Sequence, residues 1–215
     1  MKGPSPRLAA AVRGTAAVGG IVGPCVDAVH NGVLLAYDAF PVDLPFGGKT
    51  SLLIPPLLAA AYVVLGVAAP AAARRLVGEA RFVEPRLRRA DATAAAAFAS
   101  TVAIIKLSEV LCAEPLGLPL LALLALLQWA LLDGTAATLA VALAAAVCGP
   151  VAELPLIVAG CWHYVSPDYF PFDGLPGLAA ITGPCYAAVA TDAGAIARSF
   201  AQRAAPDEPG PAPGS

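Results

Sequence analysis

Six titratable side chains lie within otherwise apolar stretches of this sequence, where they could bind a polar head group, coordinate an ion or move a proton. They are Asp27, His30, Lys106, Glu109, Glu153 and Asp192. If these stretches cross a membrane, each charge at the bilayer centre costs about 2.5–3.5 kcal/mol on insertion scales. Intramembrane charges of this kind mark sites for ligands, ions or protons by default.

A purely structural explanation competes with a site. Lys106 and Glu109 are three residues apart, so on one helix they can neutralise each other without a further partner. That pairing leaves Glu153 unmatched, and it leaves Asp27 unmatched unless His30 beside it is protonated. A polar pocket or water-filled cleft is therefore the alternative interpretation of the same residues.

Two further polar residues have structural explanations. Gln128 lies in a leucine-rich stretch, where its amide can bond to a neighbouring helix, and this role outweighs ligand binding. Asp192 is expected near the cytoplasmic end of its helix, within reach of interfacial water or Arg198. The sequence contains no GxSxG, HExxH or Walker pattern, and its five cysteines form no CxxC pair. No catalytic residue and no metal site are predicted, and the protein is not expected to be an enzyme.

The composition of the chain predicts the secondary structure in which these residues lie. Of 215 residues, 59% are apolar and 13% are charged, which is typical of a protein solvated by lipid. Because backbone groups in lipid must be satisfied within the segment, the spans should be helices. We predict an all-α integral membrane protein, a bundle of six transmembrane helices in one domain, residues 1–203. The predicted spans are 11–35, 50–70, 92–112, 117–132, 135–162 and 175–198.

Orientation follows from the basic residues. With six crossings, eleven of the thirteen Lys and Arg residues fall on one side, which predicts cytoplasmic N and C termini. Trp162, Tyr164 and the aromatic residues at 169–172 are expected to form an interfacial collar on the other side. Residues 204–215 are predicted to be a disordered tail. Prolines at 24, 55, 56, 150, 155 and 184 should kink the helices and could open a cavity between them. A net charge of -2 without a basic patch predicts no nucleic-acid partner.

Three segments carry a family resemblance. Residues 162–168 read WHYVSPD, similar to a Tyr-x-x-Ser-Pro-Asp segment before the last helix of Insig proteins. Residues 194–198, GAIAR, resemble that family's Gly-Asn-Ile-Gly-Arg, and residues 129–133, WALLD, resemble the Trp-Trp-Thr-Phe-Asp that ends its fourth helix. Shorter similarities occur at residues 54–56 and 106–107. Ala195 replaces the family asparagine, and residues 134–136 replace its basic run.

The resemblance to Insigs, which are six-helix sterol-responsive membrane proteins, implies lipid sensing. We expect a non-enzymatic protein without a cofactor, whose helices enclose a sterol or another neutral lipid such as a glycerolipid. The Ala-, Gly-, Pro- and Arg-rich composition suggests a bacterial source, and hence a multi-pass protein of the inner membrane. A sterol-sensing escort protein is a partner by family analogy alone, and GxxxG spacing at Gly19 and Gly23 permits a homo-oligomer. The residues expected to face the lipid head are Asp27, His30, Lys106, Glu109, Gln128 and Glu153.

Two alternatives remain open at this point. A small transporter or channel could use the same carboxylates and Lys106 to carry protons or a substrate. A membrane enzyme acting on lipid could use His30 or Lys106 as an acid or base. Proton-dependent flux would favour the first alternative, and turnover that depends on either residue would favour the second.

Overall fold

The computed structural model describes residues 5–29, 31–45, 47–87 and 89–204, and this part of the chain is mostly helical. We number six helices in it. Four of them are long and apolar enough to cross a membrane, whereas α4 has only 16 residues and α6 is not among the four. The helices are α1 (Pro6–Asp27), α2 (Ile54–Val77), α3 (Ala90–Leu111), α4 (Gly117–Leu132), α5 (Ala136–Val158) and α6 (Thr182–Arg203).

Helix α6 forms the centre of the bundle. It packs against all five other helices, and fourteen of its 22 residues are buried. Most of the buried side chains are Ala, Gly, Thr or Ser, which allow close helix approach but add little hydropathy. The large aliphatic residues instead face outward, for example Leu123 on α4 and Leu143 on α5, which are 50% and 60% exposed. This arrangement is typical of a bundle whose outer solvent is lipid.

Glycines fix the closest approaches between helices. A Cβ atom on Gly66 of α2 would lie 2.5 Å from the Ala193 carbonyl oxygen of α6. On the other side of α6, a Cβ on Gly183 would lie 2.8 Å from the Ala146 carbonyl oxygen of α5. Both neighbours are backbone atoms that cannot rotate away, so these positions exclude any larger residue at the present helix spacing.

The prolines that were predicted to kink helices occupy different positions in them. Pro55 and Pro184 lie in the first turns of α2 and α6, where the missing N–H has no intrahelical partner to lose. Only Pro150 lies inside a regular helical segment of the described chain, shortly before α5 is interrupted at Glu153. Two further irregularities are π-helical turns, at Val18–Val22 in α1 and Val64–Ala68 in α2. Pro24 follows the first of these turns and is separated from it by Gly23.

Two small antiparallel ribbons, absent from the predicted all-α class, cover one end of the bundle. Strand β1 (Leu35–Tyr37) pairs with β4 (Trp162–Tyr164), and β2 (Pro41–Asp43) pairs with β3 (Lys49–Ser51). The first span was predicted to reach residue 35 and the fifth residue 162. Both predictions were too long, because the helices end at Asp27 and Val158 and the chain continues into the paired β1 and β4 strands.

The opposite end holds the N terminus of α1 and the C terminus of α6. The Phe200 ring of α6 occupies the space that a side chain at Gly14 of α1 would need. The loop after α2 packs against the turn between α4 and α5, where Phe82 N–H donates to the Gly134 carbonyl. The start of α1 and the end of α6 thus lie at the same end of the bundle. The tail at 205–215 lies outside the described residues.

We predict that Gly66→Ala destabilises the bundle by about 1–3 kcal/mol, because the new methyl group overlaps a backbone oxygen that cannot move aside. Gly194→Ala is the matched control, since its Cβ would meet only the terminal Arg198 nitrogen at 3.5 Å. Thermal unfolding in detergent measures both variants. A Gly66→Ala protein as stable as the wild type would contradict the close α2–α6 contact.

Candidate functional site

A cavity of about 760 Å³ runs between α2 and α5. Its α2 wall extends from Ile54 to Val77, and because a helix rises 1.5 Å per residue this wall is about 35 Å long. The α5 wall consists mainly of small residues, from Ala140 to Ala152. Residues of α1 and α6 and Ile105 of α3 complete the lining. The cavity is thus a long apolar groove.

One end of the groove is polar. The side chains there come from α1, α5, α6 and both strands of the β1–β4 ribbon. They are Asp27, Tyr37, Glu153, Trp162, Tyr164 and Tyr186. The described lining includes two carboxyl groups but neither Lys nor Arg, so this end is formed by acidic side chains and aromatic rings.

Glu153 is the centre of the polar end. Its Oε2 accepts a hydrogen bond of 3.0 Å from Trp162 Nε1 and one of 2.9 Å from the Tyr164 hydroxyl. The Tyr186 hydroxyl donates to its other oxygen, Oε1. Three neutral donors thereby stabilise the carboxylate without an opposite charge. Hydrogen bonds to an ionised acceptor are stronger than neutral ones, which makes this arrangement tolerable in an apolar bundle.

Local structure explains why these groups converge. Glu153 follows the segment Ala136–Ala152 and precedes Leu154–Val158, so it lies where α5 is interrupted. In strand β4, alternate side chains face the same way, and Trp162 and Tyr164 are only 4% and 6% exposed while His163 faces outward. Trp162 and Tyr164 therefore point inward to Glu153, and their predicted position at the membrane interface stays a prediction.

Asp27 accepts a hydrogen bond from the Tyr37 hydroxyl. The Tyr37 ring contacts the Trp162 ring edge to face, with centroids 6.0 Å apart, and so links this pair to the Glu153 group. Burial first, and then the Asp27 carboxylate, raises the pKa of the Tyr37 phenol well above its usual range. Burial and Glu153 do the same to the pKa of Tyr164. Both phenols therefore remain protonated hydrogen-bond donors.

The predicted site residues divide into three groups. Asp27 and Glu153 line the polar end of the groove. Lys106 and Glu109 form the i,i+3 ion pair with each other and are not among the lining residues. Gln128 is also outside the lining. His30 lies outside the described residues.

The buried amide of Gln128 bonds to α3. Its Nε2 donates to the Ala97 carbonyl and to Thr101 Oγ1, both at 2.9 Å. These contacts join α4 to α3, as the structural explanation of this residue required. Its role in ligand binding stays a prediction, as do those of Lys106 and Glu109.

Sequence reasoning missed the phenols that hold the carboxylates. Tyr37 and Tyr186 were not predicted as site residues. Tyrosine is common near membrane interfaces, and the carboxylates that they contact, Asp27 and Glu153, are not adjacent to them in sequence. One pattern in the sequence could have predicted the two buried aromatic residues: Trp162 and Tyr164 alternate with the polar His163. It is the two-residue period of a strand with one buried face.

Asp192 forms a second polar centre next to the groove. It is fully buried, and its Oδ2 accepts a 3.0 Å hydrogen bond from the hydroxyl of Tyr62, a groove-lining residue. Its Oδ1 has no hydrogen-bond partner in the described part of the protein. The expectation that Asp192 reaches Arg198 was wrong, because Arg198 pairs with Asp133 at 2.7 Å.

Comparisons with known proteins give no relative from which a function could be transferred. No protein-family model, no curated protein and no solved structure matches the chain. Within the described residues, no group of three His, Cys, Asp or Glu side chains is arranged to hold a metal ion, and all five cysteines are free thiols. Function must therefore be argued from the groove.

We predict that Tyr164→Phe and Glu153→Gln are coupled in their effect on stability. Removing the Tyr164 hydroxyl takes a donor from the carboxylate, but in the Glu153→Gln background that loss should matter much less. A double-mutant cycle on thermal unfolding should give a coupling energy of about 0.5–3 kcal/mol. Glu114→Gln, at an exposed carboxylate, serves as the control paired with Tyr164→Phe. Additive effects of Glu153→Gln and Tyr164→Phe would contradict the hydrogen bond.

Proposed function

We propose that this protein is an Insig-like membrane protein that binds a sterol or another neutral lipid in the α2–α5 groove and acts as a lipid sensor without turnover. The observation that carries the proposal is a long apolar groove that ends in a cluster of hydrogen-bonded carboxylates and aromatic rings. Ligand pockets typically combine apolar walls with a few polar groups that fix orientation.

The chemistry of the polar end favours a hydroxyl head group. The Trp162, Tyr164 and Tyr186 donors are already engaged by Glu153, whose Oε1 accepts one of these hydrogen bonds and can accept another, so the remaining capacity belongs to acceptor oxygens. A lipid hydroxyl can donate to them, whereas an ester carbonyl cannot. A phosphate would meet two carboxylates without a compensating cation among the described lining residues, which disfavours anionic phospholipids at this end.

The walls of the groove favour a slender apolar body. Small residues along α5, including Ala144, Ala145 and Gly149, leave room beside the larger Leu57, Leu58 and Leu65 of α2. The wall length of about 35 Å is comparable to the thickness of a bilayer hydrocarbon core, which is about 30 Å. A lipid with its hydroxyl at Glu153 would therefore have apolar wall along its whole body.

The segments that carry the Insig resemblance have connected roles in this chain. Arg198 of the GAIAR segment binds Asp133 of the WALLD segment across two helices. In the WHYVSPD segment, Trp162 and Tyr164 hold Glu153, and Asp168 accepts a 2.7 Å hydrogen bond from Ala180 N–H before α6. The three segments thus have structural roles at the two ends of the bundle. The remaining features of the proposal are six crossings, cytoplasmic termini, a bacterial inner membrane and a protein partner by analogy.

A proton-coupled transporter is the second candidate. The observation that favours it is the buried Tyr62–Asp192 pair, which contacts the groove away from Glu153 and has an unpartnered carboxylate oxygen among the described residues. Two carboxylate centres along one cavity are typical of proton pathways. Proton flux in liposomes that disappears in Asp192→Asn, with no retained lipid in the purified protein, would favour this function over lipid binding.

We predict that Ala144→Trp, which fills the groove, abolishes retention of a neutral lipid, while Leu143→Trp does not. Ala144 lines the groove, whereas Leu143 is its neighbour on the outward face of α5. Native mass spectrometry of the detergent-purified protein, followed by extraction, measures and identifies the retained lipid. Equal retention by both variants, or none in the wild type, would contradict the proposal.

Thiol labelling tests occupancy at a defined position. Cys148 is exposed and lines the groove, whereas Cys112 is exposed outside it. Added sterol or glycerolipid should slow maleimide labelling of Cys148 and leave Cys112 unchanged, because a bound lipid covers only the former. Peptide mapping gives both rates in one sample. Protection of both cysteines, or of neither, would show that the lipid does not enter the groove.

A further inference from the structure

A second, smaller cavity lies at the opposite end of the bundle. Its volume is about 230 Å³, and it is lined by Arg7 near the start of α1 and by Arg198, Ala201 and Gln202 of α6. Unlike the groove, its described lining contains two guanidinium groups and no carboxylate. Its chemistry is therefore opposite to that of the Glu153 end.

The two arginines are held differently. Arg198 donates to Asp133 at 2.7 Å, and this carboxylate, 5% exposed, fixes the guanidinium in place. Arg7 forms no ion pair in the described part of the chain. Arg74 and Arg81 are close enough to Arg198 to repel it, so one buried carboxylate faces several positive charges here. Another acid, Asp91, is already paired with Arg203 at 3.0 Å.

We propose that this cavity binds the phosphate of an anionic phospholipid. A guanidinium presents a planar fork of donors that matches phosphate oxygens, and the Gln202 amide adds further donors. A lipid suits the site better than a soluble anion, because Leu8 beside Arg7 is 44% exposed and offers an apolar surface for acyl chains. The end that carries this cavity is also the one that collects the basic residues, as expected at an interface with anionic lipids.

This site shares no lining residue with the groove. With both sites, the two ends of the protein bind different lipids. The Glu153 end accepts hydrogen bonds from a neutral head, and the Arg7–Arg198 cavity donates them to a phosphate. Loss of one type of lipid in a variant therefore leaves the other as an internal control of folding.

The test is native mass spectrometry of the full-length protein with added phosphatidylglycerol or phosphatidylcholine at physiological ionic strength. Arg7→Gln should weaken the first phosphatidylglycerol adduct by about tenfold, because hydrogen bonds to charged groups are lost. Arg75→Gln, an equal charge change at an exposed arginine of α2 outside the cavity, should weaken it by less than about threefold, since salt screens long-range attraction.

Three results would overturn the proposal. Equal losses in Arg7→Gln and Arg75→Gln would mean general attraction to a basic surface. Equal binding of phosphatidylcholine would mean that the cavity does not select lipids with a net negative charge. Displacement of phosphatidylglycerol by millimolar inorganic phosphate would identify a soluble-anion site instead of a lipid site. Arg7 is exposed, so its replacement should leave folding and groove occupancy unchanged.

Discussion

The hydrogen bonds to the Glu153 carboxylate join more parts of this protein than any other contact at the polar end of the groove. They connect α5 to α6 through Tyr186, and to the β1–β4 ribbon through Trp162 and Tyr164. Because an uncompensated carboxylate is costly in an apolar bundle, the donors must be present together whenever α5 adopts its interrupted shape. The ribbon, the break after Pro150 and the polar end of the groove are consequences of this one requirement.

Close packing around α6 is the second constraint, and it explains why the groove exists. Gly66 and Gly183 bring α2 and α5 against opposite sides of α6 with backbone contact. Two helices that both touch a narrow central helix cannot also touch each other along their full length when the facing residues of α5 are Ala and Gly. The groove is the space left between α2 and α5, and the small residues of α5 leave this space unfilled.

Helix type and approximate position could be predicted from the sequence, because hydrogen-bond accounting in lipid leaves no other regular structure for long apolar segments. The central position of α6 could not. Its buried face consists of small residues and Asp192, so a hydropathy pattern ranks it low although it is the most enclosed helix. The ribbons were missed because three-residue strands are defined by distant partners, as in the pairing of Tyr37 with Trp162. For the site, carboxylates were visible as exceptions to apolar surroundings, whereas their phenol donors resemble ordinary interfacial tyrosines.

The acidic residues of the bundle are compensated in different ways, and this difference separates structural charges from a site. Glu109 is neutralised within its own helix by Lys106, and Asp133 is neutralised across helices by Arg198. In both cases a cation balances the charge of the carboxylate. Glu153 instead receives three neutral donors and no opposite charge, at the polar end of an open groove. A carboxyl group held in this way beside an apolar cavity can accept a hydrogen bond from the head group that enters, and this property makes Glu153 the strongest candidate among the residues singled out from the sequence.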